Sequence, residues 1–153
     1  MVLGRAPRRE PLIRSHALLP PAEPFVLPVR VEFDECDLYG VVHHARYFIY
    51  MERARIAWLR ALRLPVADLH GAGFGLVLVE DHTRYRAPAR FGEALDVSVW
   101  LEKLGAASLT FGYRITRGET EVVAASIRLA CVDPTGRPRL FPPAFATALK
   151  TGS

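Results

Sequence analysis

One segment decides what this chain can become. Residues 45 to 63 set Tyr47, Met51, Ala54, Trp58 and Leu62 at the i, i+4, i+7 spacing of one helical face, and Phe48, Ile49, Ile56 and Leu59 widen that face. A helix apolar over so much of its circumference is best buried by wrapping a sheet around it. The material for that sheet follows. Leu95, Val97, Val99 and Leu101 alternate with Asp96, Ser98 and Glu102; Leu109, Phe111, Tyr113 and Ile115 alternate with Ser108, Thr110, Arg114 and Thr116; Val123, Ala125, Ile127, Leu129 and Cys131 form a third apolar row. Such period-two rows are half-buried strands of an antiparallel sheet. Gly105 and the Arg117-Gly118-Glu119 stretch supply turns, and further strands are expected over residues 27 to 33 and 76 to 87, the latter stopped by Pro88. A strand, a long helix and four more strands make an α+β order. One antiparallel sheet of about five strands curled round one helix is its compact solution.

At 153 residues the chain is one domain, small for an enzyme that must also enclose a substrate, so a partner subunit is expected to complete any site. No apolar run approaches the roughly 18 residues that cross a bilayer, so no membrane span is expected. The formal charge of +4 suggests phosphate or nucleic acid, yet half of it lies in residues 1 to 24, where four Arg oppose two Glu. A nucleic-acid surface needs a basic stripe with interleaved aromatics or a reader motif, and the body has neither. Residues 1 to 24, rich in Pro and Arg and without a sustained period, read as an extension ahead of a domain at 25 to 150. They lack the apolar core of a secretory leader, and Pro7, Pro11, Pro20 and Pro21 would break the helix of a mitochondrial presequence. Cys36 and Cys131 form no paired motif, so reduced thiols in a cytoplasm are expected.

The chemistry concentrates in residues 33 to 55, FDECDLYGVVHHARYFIYMERAR, where Asp37 sits in a Gly-containing turn that feeds into the apolar helix. A helix start leaves backbone N–H groups unpaired and carries partial positive charge, so it favours an anion, including the oxyanion of a reacting carbonyl. Two readings of Asp37 stand on the residues alone. Asp37-Leu38-Tyr39-Gly40 fits a type I turn, which would make the acid structural; equally, a carboxylate beside an oxyanion site is a nucleophile or base. Asp37 is too far ahead of a helix starting near residue 44 to cap it. Tyr47, Phe48 and Tyr50 are core residues by default, with an acyl-pocket wall as the alternative. Arg84, Arg86 and Arg90 are either exposed strand charges or guanidinium partners for phosphate. Glu52, Arg53 and Arg55 read as a solvated or interface salt-bridge set. His43, His70 and His82 do not make a metal-binding spacing with Asp37, and no metal is assigned.

The series Asp37, Gly40, Val41, Val42, His43, His44 and Tyr47, followed by Glu52-Arg53-Ala54-Arg55, resembles the hotdog-fold acyl-CoA thioesterases of the 4-hydroxybenzoyl-CoA thioesterase type, and within them the small bacterial Tol-Pal-associated branch. The resemblance spans about residues 28 to 145. It implies a hotdog fold, a homodimer or homotetramer with sites at the subunit interface, and hydrolysis of a thioester on coenzyme A or acyl carrier protein. It requires no cofactor beyond the coenzyme A of the substrate. It puts Asp37 at the catalytic carboxylate and a backbone N–H near His44 at the oxyanion, with Gly40 and Val41 as the close-approach turn. His44 stands where that branch carries its His, and its side chain is either a surface residue or a group that positions water or the thioester. The segment at 83 to 93 resembles the strand and Pro-Ala turn near the acyl-CoA entrance. One departure is Phe33, where the branch often carries Tyr, so no hydroxyl acts there.

A thioester is already activated, so one carboxylate and oxyanion donors can suffice, and the chain has no G-x-S-x-G elbow to offer instead. Two rival readings share the motif. A hotdog hydratase or dehydratase would space Asp and His five apart, whereas His43 and His44 lie six and seven after Asp37. A non-catalytic acyl-CoA-binding protein would gain nothing from a carboxylate beside the thioester.

Overall fold

The computed structural model describes residues 20 to 152. The expected extension therefore lies outside the described residues up to position 19. Five strands, β1 (Phe25–Arg30), β2 (Gly75–Tyr85), β3 (Ala94–Leu104), β4 (Ser108–Arg117) and β5 (Thr120–Val132), form one sheet in the order β1-β3-β4-β5-β2, every neighbouring pair antiparallel. The long helix α1 (His44–Ala61) packs against one face of the sheet, and two shorter helices, α2 (Val66–Gly71) and α3 (Pro143–Thr151), complete the described residues. This is the hotdog arrangement expected from the sequence.

The alternation positions the core. Leu95, Val97 and Val99 of β3, Leu109, Phe111, Tyr113 and Ile115 of β4, and Val123, Ala125, Ile127, Leu129 and Cys131 of β5 are all buried. Against them α1 turns Tyr47, Tyr50, Met51, Ala54, Trp58 and Leu59. Met51 and Leu59 are fully buried, each removal from water stabilising the fold by roughly 1.5–3 kcal/mol. Phe48, Ile49 and Ile56 reach only half-burial, so part of the wide apolar face is left uncovered by this chain.

Four expectations shift, the smallest being β2, expected over 76 to 87 and running from Gly75 to Tyr85. The first strand, expected over 27 to 33, ends at Arg30, because the chain turns into a short 3-10 segment, Phe33–Glu35, that leads to the site. The helix runs from 44 to 61 rather than 45 to 63, and Arg63, with φ of 60°, ends its exit turn. α2 and α3 add to the expected elements: each is short, starts next to a proline and buries few apolar side chains, Leu69 in α2 and Phe145 and Leu149 in α3, too few for a sequence period. Phe145 joins that end of the core through Phe74 and Phe141, at ring distances of 5.2 and 5.3 Å.

The outer face carries one close approach. Trp100 lies over Gly112, its partner in the β3–β4 register, and a Cβ at Gly112 would stand 2.3 Å from the indole. Glycine is there for space.

Candidate active site

The residues ahead of α1 fold into a short antiparallel hairpin. Glu35 C=O accepts from His43 N–H at 2.9 Å, Cys36 and Val42 form an antiparallel bridge, and Asp37 N–H donates to Val41 C=O at 2.8 Å. At the tip Gly40 N–H donates to Asp37 C=O at 3.0 Å, the turn expected from Asp37-Leu38-Tyr39-Gly40, and Gly40 takes the left-handed φ of 72° that a side chain would resist. Asp37 also shapes this turn with its side chain: Oδ1 accepts from Tyr39 N–H at 2.8 Å and from Val41 N–H at 3.4 Å. Its Oδ2 accepts nothing among the described residues, and the residue is half-buried. One oxygen is structural and the other is open, so the two readings of Asp37 are compatible.

The hairpin delivers the chain into the helix start. His43 is the N-cap, its Nδ1 accepting from Ala45 N–H at 3.2 Å, so Asp37 does not cap α1. Val42 N–H donates to Ala89 C=O, His43 N–H to Glu35 C=O, and Arg46 N–H to His43 C=O. In that run His44 N–H alone has no acceptor among the described residues. An unpaired N–H at the positive end of an 18-residue helix is a place for a negative oxygen. The His44 imidazole is exposed and stacks on that of His43 with ring centroids 4.2 Å apart.

The turn after β2 supports the hairpin from the other side. Ala89 accepts from Val42 through its carbonyl and donates its N–H to the Tyr47 hydroxyl at 3.2 Å. Tyr47 is only 4 % exposed, its ring against Tyr50 and Tyr85, and burial pushes its pKa up. Arg90 comes to the hairpin tip: its Nη1 is 3.8 Å from where a Gly40 Cβ would be. Arg84 and Arg86 lie elsewhere. Arg84 pairs in register with Ala124, as does Arg114, on the sheet face opposite the buried Tyr113 and Ala125, and Arg86 pairs with Glu121 at 3.5 Å. Of the three arginines singled out from sequence, the structure brings Arg90 to the Asp37 turn and places Arg84 and Arg86 among the charges outside the β2–β4–β5 surface.

Sequence reasoning missed Glu35, which is buried, and the Ala89–Tyr47 bond. Acids are exposed by default, so nothing in the DEC run marked Glu35 for burial. The other bond joins residues 42 positions apart.

A model of the thioesterase-like superfamily matches residues 31–149, and the chain belongs to that family. Its similarity extends to particular proteins. Over 128 residues it is 32% identical to the acyl-CoA thioester hydrolase YbgC of Escherichia coli O6:H1, covering 82% of this chain and 96% of that one. Over 127 residues it is 31% identical to a putative esterase of Aquifex aeolicus, covering 83% and 98%. The crystal structure of the hypothetical protein TT1821 from Thermus thermophilus superposes with a TM-score of 0.80 at 33% identity, covering 86% of this chain and all of that one.

Proposed function

We propose that this protein hydrolyses an acyl-CoA, or the same thioester on an acyl carrier protein, to the free acid and the thiol. The observation that carries the reading is the hairpin itself: it presents an open carboxylate oxygen on Asp37 and, at its return, the unpaired His44 N–H. The similarity to YbgC, named an acyl-CoA thioester hydrolase, supports the choice of substrate.

Either of two balanced sequences fits. Asp37 takes a proton from water as the hydroxide adds to the carbonyl carbon, the oxyanion is held by His44 N–H, and collapse breaks the C–S bond, the thiolate leaving with a proton. Alternatively the Asp37 carboxylate adds directly, the C–S bond breaks to leave a mixed anhydride, and water then cleaves that anhydride to free acid and carboxylate. In both, Gly40 and Val41 let the thioester approach the backbone, Tyr47 backs the acyl site, and Arg90 is the guanidinium nearest the turn for a phosphate of coenzyme A. Arg84 and Arg86 serve the nucleotide end only where the ligand crosses to the outer face.

The site of one chain is open on one side. Leu38 is fully exposed and Tyr39 is 86 % exposed, and Phe33 and Phe91 pair edge-on in solvent. At the far sheet edge β2 exposes Val77, Leu78 and Val79. Exposed apolar surface beside an unpaired strand edge suits a second copy of the chain. A homodimer is therefore part of the reading, with the homotetramer as its doubled form. Sedimentation equilibrium should give a mass at least twice 17.0 kDa, and Leu78→Lys should lower it toward the monomer. A monomer at micromolar concentration would contradict this part. A reducing cytoplasm suits the two free cysteines, Cys36 and Cys131.

Product analysis tests the reaction class. Mass spectrometry of incubations with short, long and aromatic acyl-CoAs and with crotonyl-CoA should show free acid and coenzyme A in equal amounts. Hydrated crotonyl-CoA with its thioester intact would replace hydrolysis by hydration.

A further inference from the structure

A carboxylate is seldom buried without partners, because taking its charge out of water is costly unless hydrogen bonds replace the solvent. Glu35 is the one buried charged residue among the described residues, at 5 % exposure. A single oxygen, Oε2, receives both of its side-chain hydrogen bonds: Glu32 N–H at 2.9 Å and Tyr50 O–H at 2.5 Å. Its main-chain carbonyl receives His43 N–H at 2.9 Å. Glu35 thus ties together three segments: the chain arriving from β1, the return limb of the hairpin, and the second turn of α1, where Tyr50 is fully buried.

The consequence lies in what stands next to those bonds. Asp37 is two residues beyond Glu35 on one limb, and His44 is one residue beyond His43 on the other. The two limbs are joined only by short rungs up to Gly40. A shift of Glu35 relative to Tyr50 would move the hairpin against the helix, and with it the Asp37 carboxylate against the His44 N–H. Displacements of about 1 Å in such pairs cost up to a hundredfold in rate.

We propose that Glu35 is a positioning residue, which through Tyr50 and Glu32 fixes the base of the 35 to 43 hairpin and so the placement of the Asp37 carboxylate against the His44 N–H. This rests on the catalytic reading of Asp37 and His44 given above. Tyr50 is suited to the part, since burial and then the Glu35 acceptor and its charge push the phenol well above its ordinary pKa, keeping the proton on the donor at all working pH.

Three variants separate placement from charge and from bulk stability. Tyr50→Phe removes the donor; Glu35→Gln keeps an acceptor oxygen at the shared position but drops the charge; Glu35→Ala removes both. The expected result for Tyr50→Phe is a kcat lower by about tenfold or more with KM within about twofold. Amide exchange should quicken at Asp37 and His43 by a similar factor while β3, β4 and β5 keep their protection. Glu35→Gln should keep kcat within about threefold, and Glu35→Ala should resemble Tyr50→Phe or fail to fold. Native kcat and native exchange in Tyr50→Phe would overturn the proposal. So would loss of protection spread evenly over the sheet, which is a stability role, or a Glu35→Gln as impaired as Tyr50→Phe, which is a charge role. Should the intact protein cleave no thioester, the hydrolase reading fails by itself, and the exchange data still decide whether Glu35 and Tyr50 hold the hairpin.

Discussion

Asp37→Asn should lower kcat/KM for thioester cleavage by about 10²- to 10⁴-fold while leaving the fold as it is. The asymmetry of the carboxylate makes this the informative substitution. Oδ1 is committed to the turn, accepting from Tyr39 and Val41 N–H, and the amide oxygen of Asn accepts the same two bonds in a residue type that favours such turns. Oδ2, which accepts nothing among the described residues, becomes an NH₂ that can neither attack a carbonyl nor take a proton from water. Stability should therefore stay within about 0.5 kcal/mol, measured by thermal or urea unfolding. Asp37→Ala would be less clear, because it removes the turn bonds together with the chemistry. A loss of rate in Asn equal to the loss of stability would show a structural acid and nothing more.

The second large effect is expected where a side chain is changed to reach the main chain. His44 is the first residue of α1, and its N–H is the group assigned to the oxyanion. Proline at a first helical position lacks only an N–H that the helix does not use, and its fixed φ suits the helix. The residue before it must be extended, and His43 already is, with φ −61° and ψ 134°. His44→Pro should thus preserve α1, and the His43 cap on Ala45, while deleting the donor. Losing one oxyanion donor costs about 10²- to 10³-fold in kcat. His44→Ala keeps the N–H and removes the imidazole, which is exposed and stacks on that of His43. It should cost less than about tenfold. If Ala is as damaging as Pro, the imidazole acts and the N–H assignment falls; if neither is damaging, the oxyanion is held elsewhere.

What could be read from the sequence was what repeats. The rows of β3, β4 and β5 alternate over most of their paired lengths, broken by register shifts between Leu101 and Lys103 and between Ile115 and Thr116, and the apolar face of α1 recurs through four turns, so each announced its own buried side. The Asp37 turn was also legible, because Asp and Gly at its ends have local reasons to be there. The parts that were not legible depend on residues distant in the chain. Tyr50 and Glu35 are 15 apart and Tyr47 and Ala89 are 42 apart, and neither pair has a spacing that a helix or strand imposes. Arg84, Arg86 and Arg90 looked equivalent as a run. The β2–β5 register puts Arg84 on the outer face, Glu121 takes Arg86, and only the turn after β2 carries Arg90 round to Gly40.

The central claim, that the open oxygen of Asp37 drives thioester hydrolysis, is tested most directly by thiol release. The rates of the intact protein and of Asp37→Asn, matched for folding, would be compared across short, long and aromatic acyl-CoAs. The account predicts steady release by the intact protein on at least one substrate class and a rate near background for the variant on that same class. Equal rates from the two proteins, or no release by the intact protein on any acyl-CoA or acyl carrier thioester, would contradict it.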